Sequence, residues 1–206
     1  MKKEKITKIF LVRHAESKFN PGKIYSSKPE NDPGLTKKGE WMSKKLAERM
    51  NKENIDIIYS SNLPRCILTA SFIASAVKKK IIVDSDFREH DVGKCELMSE
   101  KEIKKKYPVL AKKWFGEDVS TLVIGESMKT AYSRVLNAFE RISEKYEGKN
   151  FVIITHQAPV KFVVGKLFDG LKHFGNFGIA NASVTLIQKT GKKYKLQYLN
   201  DTYHLK

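Results

Sequence analysis

The sequence predicts an α/β fold: a three-layer sandwich in which a mainly parallel sheet is flanked by helices and carries a helical cap insertion. Three observations lead there. Short apolar, β-branched runs recur along the chain, segments of helical period separate them, and neither an internal repeat nor a Pro/Gly/Ser-rich linker interrupts the alternation. Strands that alternate with helices make βαβ units, whose crossovers cover both faces of a parallel sheet. The 206 residues are read as one domain, 1–206, long enough to bury a sizeable core.

Ile6–Val12 (ITKIFLV) reads as a short buried strand. From Thr36 to Met50, Trp41, Met42, Leu46, Ala47 and Met50 recur with a helical period. Ile55–Tyr59 (IDIIY) is a second strand. Asn62 is read as the N-cap of a second helix, with Pro64 in its first turn and Cys66–Val77 as its body. Ile81–Val83 makes a third strand. Ser99-Glu100-Lys101-Glu102 has capping-box form and starts a short helix, which Pro108 breaks or restarts. A long helix runs from Ser127 to about Tyr146, with Met128, Ala131, Val135, Phe139 and Ile142 at core spacing. Phe151–Thr155 (FVIIT) is a fourth strand, followed by a helix over Pro159–Phe168. Ser183–Gln188 and Tyr194–Leu199 flank Thr190-Gly191-Lys192, a hairpin signal. The lysine-dense segment 94–125 is read as a cap or lid, with a plain solvated helical face as the alternative.

Composition narrows the classes. Lysine and arginine number 39 against 23 aspartates and glutamates, a formal charge of +16, yet 41% of the residues are hydrophobic, too many for a disordered basic tail. Ile9–Val12 is too short for the apolar region of a signal peptide, and no run approaches the roughly 18 apolar residues of a membrane span. Cys66 and Cys95 give neither a disulfide framework nor zinc spacing. The simplest reading is a soluble, cytoplasmic protein, monomer or homodimer, with no membrane partner. Only six residues of the cationic excess are arginine: Arg13, Arg49, Arg65, Arg88, Arg134 and Arg141. Planar, bidentate recognition of an oxyanion would fall to these. No nucleic-acid partner is expected, because there is no recognition motif and the aromatics are not interleaved with arginines as stacking platforms.

In open α/β sheets ligands bind outside the carboxyl ends of the strands. Strand one ends in Arg13-His14-Ala15-Glu16-Ser17, strand two in Ser60-Ser61-Asn62-Leu63-Pro64-Arg65, and strand four in Thr155-His156-Gln157; Phe87-Arg88-Glu89-His90 follows strand three. Two histidines, two arginines and a carboxylate would meet at one edge. Each alone has a bland explanation: a structural histidine, a surface arginine, a solvated glutamate. Together they fit phosphoryl transfer through a histidine nucleophile. Arginines give a phosphomonoester dianion donors that do not titrate. They also disfavour imidazolium, which keeps His14 neutral and nucleophilic. A carboxylic acid can protonate the leaving oxygen. The helix opening near Asn62 would add N–H groups toward the anion.

Arg13-His14-Ala15-Glu16-Ser17 with Asn20 resembles the Arg-His-Gly-Glu signature of the histidine phosphatase (phosphoglycerate mutase-like) superfamily. The resemblance continues in order through Leu35–Gly39, Ser60–Ala70, Phe87-Arg88-Glu89, Gly125-Glu126-Ser127 and Thr155-His156, covering nearly the whole chain. It implies that His14 is the phosphorylated nucleophile and Glu89 the proton donor and acceptor. Arg13, Arg65 and a protonated His156 would bind the phosphoryl group, Asn20 and Gln157 would contact phosphate or substrate, and Glu16 would orient the loop. It implies no metal and no other cofactor. Ala15 stands where the family has glycine, Gln157 where small residues are common, and Gly93–Glu96 where many relatives place an aromatic before the glutamate. The interval from Glu89 to His156 is compact beside that of cofactor-dependent phosphoglycerate mutases, which must shelter the phosphohistidine from water. It therefore favours a small-metabolite phosphatase. A mutase and a non-catalytic phospholigand binder are the alternatives.

Overall fold

The computed structural model describes residues 5–116, 119–168, 170–172 and 174–206. Alternation along β1 (Ile6–Arg13) sets the layers: Ile9 and Leu11 enter one core cluster, Phe10 and Val12 the other. β6 (Asn150–Thr155) does the same with Phe151 and Ile153 against Val152 and Ile154. One face of the sheet is covered by α1 (Lys37–Met50) and α2 (Pro64–Val77), which bury Met42, Leu46, Met50 and Ile73. The other is covered by α5 (Met128–Lys145) and α6 (Gln157–Lys166), through Val135, Phe139, Val160 and Phe162.

The six-stranded sheet has the order β3-β2-β6-β1-β7-β8, with β2 at Ile57–Ser60, β3 at Ile81–Val83, β7 at Val184–Thr190 and β8 at Lys193–Asp201. β3, β2, β6 and β1 are mutually parallel, while β7 runs antiparallel to both β1 and β8. The sheet is thus mixed, and the expected parallel arrangement holds for four strands. The hairpin signal at Gly191 located the β7–β8 turn, but the pairing of β7 with β1 is a long-range choice.

Local signals placed several helix starts. Ser99 and Glu102 form a reciprocal capping box before α3 (Glu100–Lys106), Pro108 opens α4 (Pro108–Trp114), and Ser127 caps α5 by accepting from the Thr130 N–H. Thr36 caps α1 in the same way from Gly39. Asn62 does not cap α2. Leu63 holds the extended N-cap conformation and Pro64 follows, so the residue pinned in the core decides the boundary. α6 starts two residues before Pro159, directly from His156. In the 94–125 segment, α3 and α4 lead to a small hairpin of β4 (Val123–Ile124) and β5 (Glu126–Ser127); residues 117 and 118 lie outside the described residues. Among the described residues no helix is long and apolar enough to cross a membrane.

Phe139 has no solvent exposure and packs between α5 and the sheet, whereas Val109 on α4 is 77% exposed. Phe139→Ala is therefore expected to cost about 3–5 kcal/mol of folding stability in urea denaturation, and Val109→Ala less than about 0.5 kcal/mol.

Candidate active site

Sheet register brings the strand-end residues together. Arg13 is the last residue of β1 and pairs with Thr155, the last of β6, so His14 and His156 emerge side by side with ring centroids 5.2 Å apart. The His14 N–H donates to the Thr155 carbonyl at 2.8 Å, which locks the two strand ends. β2 ends one strand over, with Ser60 opposite Ile154, and the chain turns through Ser61 into α2, placing Arg65 in that helix's first turn. Beyond β3 the chain returns over the same edge with Glu89. The result is a cleft of about 250 Å³ with Arg13, His14, Asn20, Arg65, Glu89 and Gln157 in its wall.

Hydrogen bonds assign the states of both histidines. His14 Nδ1–H donates to the Ala15 carbonyl at 2.7 Å, and its Nε2 accepts from Arg65 Nε at 3.2 Å. The ring is neutral, with the Nε2 lone pair on the arginine side. Burial, reinforced by the charges of Arg65 and Arg13, holds its pKa well below the ordinary histidine value, although the bond to Ala15 opposes this. His156 Nδ1 likewise faces Arg65 Nη2 at 3.2 Å, and Nε2 faces Ser61 Oγ at 2.9 Å. A guanidinium can only donate, so Nδ1 is an acceptor and this ring too is neutral. The expected protonated His156 is corrected on that ground: burial first, then Arg65 and His14, lower its pKa. The ring has no solvent exposure and contributes no wall to the cleft; it meets the site through Arg65.

Arg65 is 6% exposed, and its remaining donors reach Asp32 Oδ2 at 2.6 Å and the Ser26 carbonyl at 3.0 Å. Arg13 donates from Nη1 to the Ile179 carbonyl, while its buried Nε has no hydrogen-bond partner among the described residues. Arg13 also lines the cleft. Asn20 Oδ1 accepts from the Ser17 N–H at 2.8 Å, Ser17 Oγ at 3.1 Å and Asn181 Nδ2 at 3.1 Å, so its amide NH₂ is the end left to donate. Glu89 Oε1 accepts from the His90 N–H at 3.0 Å and the Ala158 N–H at 3.3 Å. The helix start on the cleft is accordingly that of α6, through Gln157 and Ala158, rather than the one near Asn62.

The signature loop is tied down by α1. Glu16 accepts from Thr36 Oγ1 at 3.0 Å and pairs with Lys38 at 3.0 Å, and a Cβ on Gly39 would fall 2.1 Å from the Glu16 carbonyl. That approach explains the glycine. Ala15 is accommodated with no exposure, its N–H donating to Thr69 Oγ1 at 3.1 Å. Arg88 turns away toward the Ser85 carbonyl and Glu126. Sequence reasoning missed Asp32, Asn181 and the outer wall of Tyr25, Trp114 and Phe174. Phe174 is held by buried Lys161, whose ammonium donates to its carbonyl at 2.8 Å and whose pKa burial lowers to about 8. Of the residues missed, only Trp114 had a signal, since it lies in the segment read as a cap; it packs on Tyr25 with ring centroids 4.7 Å apart. Among the described residues no group of three or more His, Cys, Asp or Glu is placed to hold a metal ion.

A strand-end cleft with a neutral, oriented histidine, two fixed guanidinium groups and a facing carboxyl belongs to an enzyme that hydrolyses phosphoric monoesters. The chain is a member of the histidine phosphatase superfamily (branch 1), whose family model matches residues 9–202. It is 33% identical over 202 residues to Phosphoserine phosphatase 1 of Hydrogenobacter thermophilus, covering 97% of this chain and 95% of that one. Its fold superposes on Bacillus stearothermophilus YhfR with a TM-score of 0.90 at 25% identity, covering 97% and 100% of the two chains. It also superposes on the phosphoserine phosphatase of Entamoeba histolytica, solved with 3-phosphoglyceric acid, with a TM-score of 0.83 at 25% identity, covering 97% and 99%.

Both histidine pKa values lie below the unfolded value of about 6.5. Below that pH the unfolded chain binds more protons than the folded one. Stability is fully present above about 6.5 and declines with added acid, by up to about 1.4 kcal/mol per pH unit for each ring. Half-buried His204, lowered to about 4 by burial and Arg49, acts in the same direction. The urea midpoint is expected to fall between pH 6.5 and 5, and to fall less steeply in His156→Gln. A midpoint that stays flat over that range in the parent protein would contradict neutral burial.

Proposed function

We propose that this protein removes phosphate from small phosphorylated metabolites of the phosphoserine class, in the cytoplasm, through a phosphohistidine on His14 and without a metal. The observation that carries the proposal is the state of His14: Nδ1–H is committed to Ala15, so Nε2 holds the lone pair beside Arg65. The names of the relatives in Hydrogenobacter and Entamoeba support the substrate class.

The phosphate dianion enters between Arg13 and Arg65, which both line the cleft. Asn20 and the start of α6 at Gln157 donate to its remaining oxygens. These donors are in place before charge develops, which is what makes such stabilisation effective. His14 Nε2 attacks phosphorus as the bond to the leaving oxygen breaks, and Glu89 gives that oxygen its proton. Glu89 then takes a proton from the water that attacks the phosphohistidine, which restores His14 and releases phosphate. His156 orients Arg65 by accepting from its Nη2. The helices of the 94–125 segment form a lid whose Trp114 narrows the entrance.

His14→Ala is expected to abolish phosphate release from phosphoserine, and full activity in that variant would sink the mechanism. Glu89→Gln should slow turnover by about 10²–10⁴-fold and allow an acid-labile phosphohistidine to be trapped. EDTA should leave the rate unchanged, and 3-phosphoglycerate incubated in parallel should show no isomerisation.

A further inference from the structure

The block Gly125-Glu126-Ser127 takes no part in the steps above, yet it is packed against the loop that carries Glu89. Gly125 has φ +64°, and a Cβ there would lie 2.6 Å from the Asp91 side chain and 2.8 Å from its carbonyl oxygen. Next to it, Glu126 Oε1 accepts the Asp91 N–H at 3.1 Å, and the Glu126 carbonyl accepts from His90 Nε2–H at 2.9 Å. Both Glu126 oxygens are also met by Arg134, which reaches up from α5. Arg134 Nη1 donates in turn to the carbonyls of Asp86 at 2.7 Å and Arg88 at 3.3 Å. Residues 86 and 88 are therefore held on one side of Glu89, and residues 90 and 91 on the other. The two charged side chains are each 11% exposed, and neither forms part of the cleft wall.

We propose that Glu126 and Arg134 are positioning residues for proton transfer: their ion pair clamps the backbone on both sides of Glu89 and sets where its carboxyl meets the leaving oxygen. The inference rests on the assignment of Glu89 as proton donor. Proton transfer needs heavy atoms within about 2.6–3.2 Å, and a displacement of about 1 Å can cost about 10²-fold. A buried ion pair with four guanidinium N–H bonds made and both carboxylate oxygens engaged has one favoured arrangement, so it transmits position rather than allowing drift. Among the described residues, the bonds that fix the Glu89 carboxyl are two from backbone N–H groups, both on Oε1. The rest of its placement comes from the loop.

The leaving group separates positioning from general structural support. Phosphoserine loses an alkoxide that needs a proton, whereas p-nitrophenyl phosphate loses a phenolate that leaves without one. The value of kcat/KM reports the steps up to the phosphohistidine, and the ratio between the two substrates does not depend on how much enzyme is folded. Glu126→Gln is expected to lower kcat/KM for phosphoserine about ten- to a hundredfold relative to p-nitrophenyl phosphate. Arg134→Lys should act in the same direction, and Glu89→Gln should show the largest selective loss. Selective loss in Glu89→Gln, with equal or no loss on the two substrates in both Glu126→Gln and Arg134→Lys, overturns the clamp alone. Absence of selective loss in Glu89→Gln overturns the assignment of Glu89, and the clamp with it.

Discussion

A guanidinium taken out of water costs several kcal/mol unless each of its N–H groups finds an acceptor, and Arg65 is 6% exposed. Four of its five N–H groups are met by partners from separate parts of the chain: Asp32, the Ser26 carbonyl, and the lone pairs of His14 and His156. Asp32 is itself without side-chain exposure, so the pair is a buried one that would be costly to open. This requirement ties the loop before α1, the first turn of α2 and the two strand ends of β1 and β6 into one body. It also decides that both imidazoles are acceptors toward Arg65, and hence neutral.

The chemistry follows from the same arrangement. Two cations that do not titrate sit beside a histidine whose Nδ1–H is spent on a backbone carbonyl. A dianion entering there replaces solvent with donors already oriented, and the imidazole it meets holds its lone pair at pH 7. Glu89, the proposed acid, lines the same cleft and is held by backbone: His90 and Ala158 N–H groups on the carboxylate, and Glu126 with Arg134 on the loop. Aromatic rings from Tyr25, Trp114 and Phe174 also line the cleft.

The helix starts that were legible in the sequence are those governed by chemistry within four residues. Ser99 with Glu102, and Ser127 with Thr130, behave as their spacing requires. Asn62 failed as a cap because fully buried Leu63 dictates the entry into α2, a tertiary contact overriding a local preference. The parallel strands were readable from their apolar runs. The reversal at β7 was not, because a hairpin signal states which strands are joined and not which strand they join.

The candidate site divides in the same way. Residue types at strand ends were enough to bring His14, His156, Arg13, Arg65 and Glu89 under consideration, since a sheet presents the carboxyl ends of parallel strands at one edge and chain order is explicit in the sequence. Charge state and support were decided by the tertiary structure. His156 is neutral because Arg65 lies against Nδ1 across a separation of 91 residues. Arg13 is anchored at Ile179, Asn20 is oriented by Asn181, and Arg134 brackets Glu89 from a helix some 46 residues away. Burial and hydrogen-bond partnership set a proton's affinity, and both are properties of distances between residues that chain order alone does not contain.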